Sequence, residues 1–307
     1  MSAGPQNTTP APRSRHRTAL RLGTLLLTAV LGASSVGALS ALALDGLAFS
    51  GSHRVGYSSD DLLVVLAIGS DLGPPLRPGD PTRGLADGIH LFVVDTTTDR
   101  MTVVDIPRDS AIGGGKVNSH LAHGGPEQLE AQLEAWTGLA IDFWVLGSFQ
   151  SVEAVTHDLG GITIDVPQRL LDPYSGTDLH PGPQTLDPGQ ALGFTRNRRS
   201  LGDGDIGRSA NQTRLMLAAL GQVRGAAEGN LHYVVNVVAT LRQHTASNIP
   251  PGQMLTLALT ALRIQPENIA HVTISGPFST IGRGSVILPQ PGDLFQRLSE
   301  GQVGPAQ

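Results

Sequence analysis

The longest apolar run is LGTLLLTAVLGASSVGALSALAL, Leu22 to Leu44, with no charged residue. It follows an acid-free start containing Arg13, Arg15, His16, Arg17 and Arg21. A helix needs about 20 apolar residues to span a hydrocarbon core, whereas the apolar part of a secretory signal is about 7 to 15 residues long. The pattern therefore predicts a transmembrane anchor over 22–44. The arginines before it place a basic tail, 1–21, in the cytoplasm and the rest of the chain outside the cell membrane. After a polar linker, 45–61, the pattern shortens. LLVVLAI (62–68) reads as a buried strand ending in Gly69-Ser70-Asp71. HLFVVD (90–95) and MTVVDI (101–106) flank TTTDR and read as a β-hairpin. The two ends of an antiparallel pair lie side by side, so Asp87 and Arg108 are expected to be neighbours. Gly125 to Thr137 reads as an amphipathic helix, IDFWVLGS as a strand, Phe149 to Leu159 as a helix and GITIDVP as a strand. Helical patterns at 231–243 and 252–263 precede strands at 270–275 and 285–288. Strands alternating with helices predict an α/β fold, a mixed central sheet flanked by helices in an α/β/α sandwich, filling one domain over 62–300.

Composition narrows the chemistry. In 307 residues the hydrophobic fraction is 40%, enough for a core, while aromatics make up only 4%, too few for a base-stacking surface. Four of the 21 basic residues precede Asp45, leaving 17 against 26 acidic groups in 45–307. That balance of −9 is the wrong sign for a nucleic-acid binder. There is no cysteine, which removes thiol nucleophiles, thiolate metal sites and disulfides together.

Against this background Phe194 to Arg208, FTRNRRSLGDGDIGR, stands out: it holds Arg196, Arg198, Arg199, Asp203, Asp205 and Arg208. Guanidinium forks hold phosphate or carboxylate oxygens two at a time, so this spacing suits a polyanion. Charge runs usually face water. Here, however, Asp187 can cap a helix before the run, and Arg208 and Gln212 share one face of a helix after it. Asp71 and Asp87, set among these cations, fit Mg²⁺ or another divalent cation on a pyrophosphate. GGGKVNSH carries the only lysine, Lys116, but lacks the first glycine and the Ser or Thr of a P-loop. His120 and His123 offer two ligands for zinc without a third. No G-x-S-x-G occurs for serine hydrolysis.

The order GSD (69–71), Asp87, IPRDS (106–110), KVN (116–118), DLGGITIDVP (158–167), LDPGQALGFTRNR (186–198), GDIGR (204–208) and Gln212 resembles the LytR-CpsA-Psr family, the cell envelope-related transcriptional attenuators, over about 62–222. The resemblance implies a membrane-anchored, extracytoplasmic phosphotransferase. Such an enzyme moves a glycopolymer from a polyprenyl-pyrophosphate carrier to a peptidoglycan acceptor, with pyrophosphatase activity as a side reaction. It implies metal binding by Asp71 and Asp87, catalysis by Arg108, Arg196 and Arg198, and pyrophosphate contacts from these arginines with Lys116, Arg208 and Gln212. Leu85 and Gly88 depart from the family, which often has Arg and Ser or Thr there. The alternative is a non-catalytic binder or sensor of lipid-linked precursors, or a regulatory attenuator. The outward topology and acidic body argue against a nucleic-acid partner.

Overall fold

The computed structural model describes Met1, residues 61–72 and residues 84–306. Apart from Met1 and Asp61, the predicted tail, anchor and linker lie outside the described residues. Among the described residues, no helix is long and apolar enough to cross a membrane.

The chain forms strands β1 (Leu62–Ser70), β2 (Ala86–Asp95), β3 (Arg100–Asp105), β4 (Ala111–Ile112) and β5 (Gly115–Lys116), then helix α1 (Ser119–Thr137). β6 (Phe143–Ser148), α2 (Phe149–Asp158), β7 (Ile162–Val166), β8 (Leu170–Asp172), β9 (Thr177–Leu179) and β10 (Gly182–Leu186) follow. Next come α3 (Pro188–Arg196), α4 (Asp205–Ala227), α5 (Leu231–His244), β11 (Ala246–Ser247) and α6 (Pro251–Arg263). The chain closes with β12 (Ile269–Thr273), β13 (Phe278–Ile281), β14 (Gly284–Ile287) and α7 (Leu294–Ser299).

The main sheet has six strands in the order β11-β6-β1-β2-β3-β12. β1 runs antiparallel to β2 and parallel to β6, and β12 runs parallel to β3, so the sheet is mixed as expected. Successive side chains of a strand point to opposite faces. Accordingly Val64, Leu66 and Ile68 of β1 join a core with Leu121, Leu129 and Leu133 of α1 and Phe295 of α7. Leu63 and Val65 join the opposite core with Leu217 and Leu220 of α4 and Leu257 of α6. These are the two outer layers of the sandwich. α1 starts six residues before the predicted Gly125 and is kinked at Gly124–Gly125, where the backbone leaves helical geometry.

A smaller lobe carries the arginine stretch. β7 pairs antiparallel with β10, and Ile162, Ile164, Leu186, Ala191, Phe194 and Leu215 pack as a separate cluster. α3 opens with a capping box: Gln190 N donates to Asp187 Oδ1 at 2.8 Å and Asp187 N to Gln190 Oε1 at 3.0 Å. Phe194 is fully buried two residues before Arg196, so the lobe's core fixes where the arginines emerge. Phe194→Ala should destabilise the fold by about 3–5 kcal/mol in urea unfolding, the usual cost of such a cavity. A loss below about 1 kcal/mol would mean that Phe194 does not anchor the lobe.

Candidate functional site

The site forms at one end of the sheet, where the β1–β2 register breaks. Gly69 is opposite Gly88 and Ser70 opposite Ala86, which leaves Asp87 as the extra residue of a β-bulge. Bulges re-aim side chains at functional sites. The Asp87 carboxylate meets Arg108 NH1 at 2.7 Å, the neighbour relation the hairpin predicts. Asp71, just past β1, is held by the same register: its Oδ1 accepts from Leu85 N at 2.8 Å and its N donates to Leu85 O at 3.3 Å. A Cβ on Gly84 would lie 2.1 Å from Ser70 Oγ and 2.7 Å from Asp71 Oδ1, so only glycine lets the chain pass so close.

Three arginines converge on a carboxylate to which the sequence reading gave no role. Asp205, the first residue of α4, is buried. Arg208 NH2 lies 3.0 Å, Arg108 Nε 3.5 Å and Arg198 NH1 3.7 Å from its oxygens. None of these contacts has hydrogen-bond geometry. Both Asp205 oxygens and the Nε atoms of Arg108 and Arg208 are buried without a hydrogen-bond partner among the described residues. Burial disfavours the Arg108 cation, but the bond and charge of Asp87, with Asp205 and Asp109, outweigh it and hold the guanidinium protonated more firmly than usual. Arg208 goes the other way. Burial dominates and, with repulsion from Arg108 and Arg198, outweighs the attraction of Asp205 and Asp87.

Two cavities meet here. One, of about 260 Å³, runs between β1, β6, α2 and α4 past Ile68, Val152, Leu215, Met216 and Ala219, and its walls are mostly apolar. The other, of about 270 Å³, is lined by Asp172, Tyr174, Ser175, Arg198 and Arg199. Asp87, Arg196 and Arg208 line both. Arg196 sits 4.7 Å above the Phe149 ring at the apolar side, and Arg199 stacks 3.2 Å over the Tyr174 ring at the polar side. Around this junction Arg108, Arg196, Arg198, Arg199 and Arg208 face Asp87, Asp172 and Asp205, an excess of two positive charges. The arrangement suits a ligand with an apolar chain and a dianionic head.

Of the residues singled out from sequence, Asp87, Arg196, Arg198, Arg208 and Gln212 line one or both cavities, and Arg108, which lines neither, borders the junction through its contacts with Asp87 and Asp205. Gln212 lines the apolar cavity and donates to Thr195 O at 3.2 Å and Asp87 O at 3.4 Å. Lys116 does not line either cavity; it pairs with Asp109 at 2.8 Å, beside Arg108 in sequence. Asp71 lies at the same sheet end but likewise lines neither cavity. For a divalent cation, one oxygen of Asp71 is taken by Leu85 N and one of Asp87 by Arg108, which leaves a second oxygen on each. Among the described residues no group of three or more His, Cys, Asp or Glu could hold a metal. Two carboxylates fit Mg²⁺ only when a phosphate ligand and water complete its shell. Asp205 is the residue sequence reasoning missed, although Asp205 and Arg208, three apart on one helix, carried the signal.

The LytR_cpsA_psr family model matches residues 41–298. Among curated relatives, the polyisoprenyl-teichoic acid–peptidoglycan teichoic acid transferase TagU of Bacillus subtilis is 31% identical over 169 residues, covering 53% of each chain. TagU of Bacillus mycoides is 25% identical over 214 residues, covering 68% of this chain and 67% of its own. Among solved structures, B. subtilis TagV superposes with a TM-score of 0.67 at 21% identity, covering 80% of this chain and 100% of that one. A LytR-Csp2A-Psr enzyme from Actinomyces oris gives 0.62 at 20% identity, covering 77% and 89%. These structures share the α/β fold described above.

Removing Arg108 deletes charge-assisted contacts worth about 1.5 to 3 kcal/mol, so Arg108→Ala should weaken binding of methylene diphosphonate, an unreactive pyrophosphate analogue, by about tenfold or more in titration calorimetry. Arg263→Ala, which removes a cation paired with Asp99 elsewhere, should leave that affinity unchanged. Equal effects would show that net charge, and not this cluster, binds the anion.

Proposed function

The chain belongs to the LytR-CpsA-Psr family, and from that premise we propose that it is a membrane-anchored phosphotransferase that attaches a polyprenyl-pyrophosphate-linked glycopolymer to peptidoglycan. The observation that carries this reading is the junction of an apolar and an arginine-lined cavity along Asp87, Arg196 and Arg208. A polyprenyl tail fits the first, the pyrophosphate the junction, and the glycan the second. The names of the TagU relatives describe the same kind of transfer. In this reading 22–44 anchors the chain as a single-pass helix, with residues 1–21 in the cytoplasm and 62–300 outside.

The reaction is a displacement at phosphorus. A sugar hydroxyl of peptidoglycan forms a new O–P bond to the phosphorus that carries the glycopolymer. The bond from that phosphorus to the bridging oxygen breaks, and the lipid monophosphate leaves with the electron pair while the hydroxyl proton passes to solvent or a base. Negative charge then shifts toward the leaving phosphate. In this reading Arg108, fixed by Asp87, and Arg196 and Arg198 neutralise it, and such pre-placed donors are worth about 10²- to 10³-fold each in rate. Asp71 and Asp87 would hold Mg²⁺ or another divalent cation, which would screen the pyrophosphate charge. Asp205 keeps Arg108, Arg198 and Arg208 within reach of one another despite their repulsion. Lys116 and Gln212 complete the assigned set, Lys116 at its edge through Asp109.

The test uses the full chain in detergent with a lipid-linked glycan and a peptidoglycan acceptor. Transfer should require a divalent cation, and Asp87→Asn should raise that requirement, because an amide keeps the shape and loses the charge. Ala219→Trp, which fills the apolar cavity, should abolish turnover of a long polyprenyl substrate while sparing one with a short lipid. Binding of the lipid without turnover by any hydroxyl acceptor would favour the sensor reading instead.

A further inference from the structure

Behind Gln212 lies a buried charged network that the proposed transfer leaves unused. Asp105, the last residue of β3, is fully buried. Its Oδ1 accepts from the Thr213 hydroxyl at 2.5 Å and lies 2.8 Å from Nδ1 of His90 on β2. Its Oδ2 accepts from the Thr273 hydroxyl at 2.8 Å and lies 2.5 Å from Nε2 of His271, both on β12. Burial, the largest influence, pushes this carboxyl up. Hydrogen bonds and charge from His271 and His90 outweigh it and hold the group well below the usual carboxylate range. An ionised carboxylate only accepts, so Nδ1 of His90 carries a hydrogen.

The other ring nitrogen is constrained as well. His90 Nε2 faces Gln212 Oε1 at 3.2 Å. Gln212's amide orientation follows from its far end, where Nε2 meets the carbonyls of Thr195 and Asp87. Two carbonyls need a donor there, and the reversed amide would set oxygen against both. The amide oxygen therefore faces His90, and with an oxygen acceptor set against each ring nitrogen the ring is the imidazolium form, donating from Nδ1 to Asp105 and from Nε2 to Gln212. Gly88 makes room for this contact, since a Cβ there would fall 3.1 Å from Gln212 Oε1 and 3.2 Å from His90 Nε2.

We propose that His90, held by Asp105, is a positioning residue of the transfer site. Through its Nε2 donor it fixes the Gln212 amide, and through Gln212 it fixes the backbone carbonyls of Asp87 and Thr195. Those carbonyls belong to the β2 bulge, which supplies a predicted metal ligand, and to the last turn of α3, which carries Arg196. The network therefore sets the spacing across which a pyrophosphate would lie. The groups around His90 are Asp105 from β3, His271 and Thr273 from β12, and Gln212 and Thr213 from α4, with Arg208 on the same cavity wall. This inference rests on the proposed function.

Two conservative variants separate the two ring nitrogens. His90→Asn keeps a donor near the Nδ1 position for Asp105 but cannot reach Gln212. His90→Gln keeps a donor near Nε2. In the full chain, His90→Asn should lower kcat about tenfold or more, and His90→Gln should retain most of it. In a Gln212→Ala background, His90→Asn should cost nothing further, because residues acting as one unit are non-additive. Equal losses in the two variants, or full additivity with Gln212→Ala, would overturn the proposal. If the wild-type chain shows no transfer at all, the functional reading fails, and NMR of the Gln212 side-chain amide decides this one. Slow-exchanging amide protons in the wild type and His90→Gln, but not in His90→Asn, support the proposal; equal exchange in all three contradicts it.

Discussion

Like-charge repulsion among closely set arginines is the constraint on which the rest of the site depends. Arg108, Arg198 and Arg208 all approach Asp205, and a single buried carboxylate cannot satisfy them. Inside a protein such repulsion is screened less than in water, so an uncompensated cluster destabilises the fold until an anion enters. The chain spends several structural devices on holding it: the bulge that turns Asp87 toward Arg108, the capped helix that delivers Arg196, and Asp205 opening the helix that carries Arg208. A body with an acidic excess surrounds this positive junction. The local excess of positive charge lies where a dianion would bind.

Local periodicity made much of the fold readable. β1 reads as a continuous apolar run, and the β2–β3 hairpin turns after Asp95 as its pattern predicts, although β2 begins at Ala86, four residues before the predicted start at His90. The Asp87–Arg108 pair follows from hairpin closure alone. The capped helix before the arginines follows from the Asp187 and Gln190 spacing. What escaped the sequence depends on long-range placement. The β8–β9 hairpin has three residues per strand, too few for a periodic signal, yet it brings Asp172 and Tyr174 to the polar cavity. Asp205 looked like one more charge in a charged stretch because its meaning lies in what surrounds it. The apolar cavity leaves no sequence signature of its own, being bounded by residues from eight elements, with Thr245 between α5 and β11.

The His90–Asp105 network shows the same limit from another side. Both residues sit in strands whose pattern reads as apolar core, and a histidine or aspartate there looks like an isolated interruption. Only the pairing of β2 with β3 and β3 with β12 sets His90, Asp105 and His271 in adjacent strands. α4 then adds Thr213 and Gln212 from above. Buried polar groups are costly unless satisfied, and this set is satisfied through Gln212 to the edge of the site. Core and site are thus continuous: the hydrogen bonds that neutralise a buried carboxylate also orient the groups at the cavity junction.

In the proposed function one amphiphile occupies both cavities with its pyrophosphate at their junction. A crystal structure of the chain with a bound polyprenyl pyrophosphate tests it most directly. Electron density is expected for the prenyl chain along Val152, Leu215 and Ala219, and for the two phosphates between Arg108 and Arg196. Density for the lipid on another face, or phosphates lying away from Arg108 and Arg196, would contradict it.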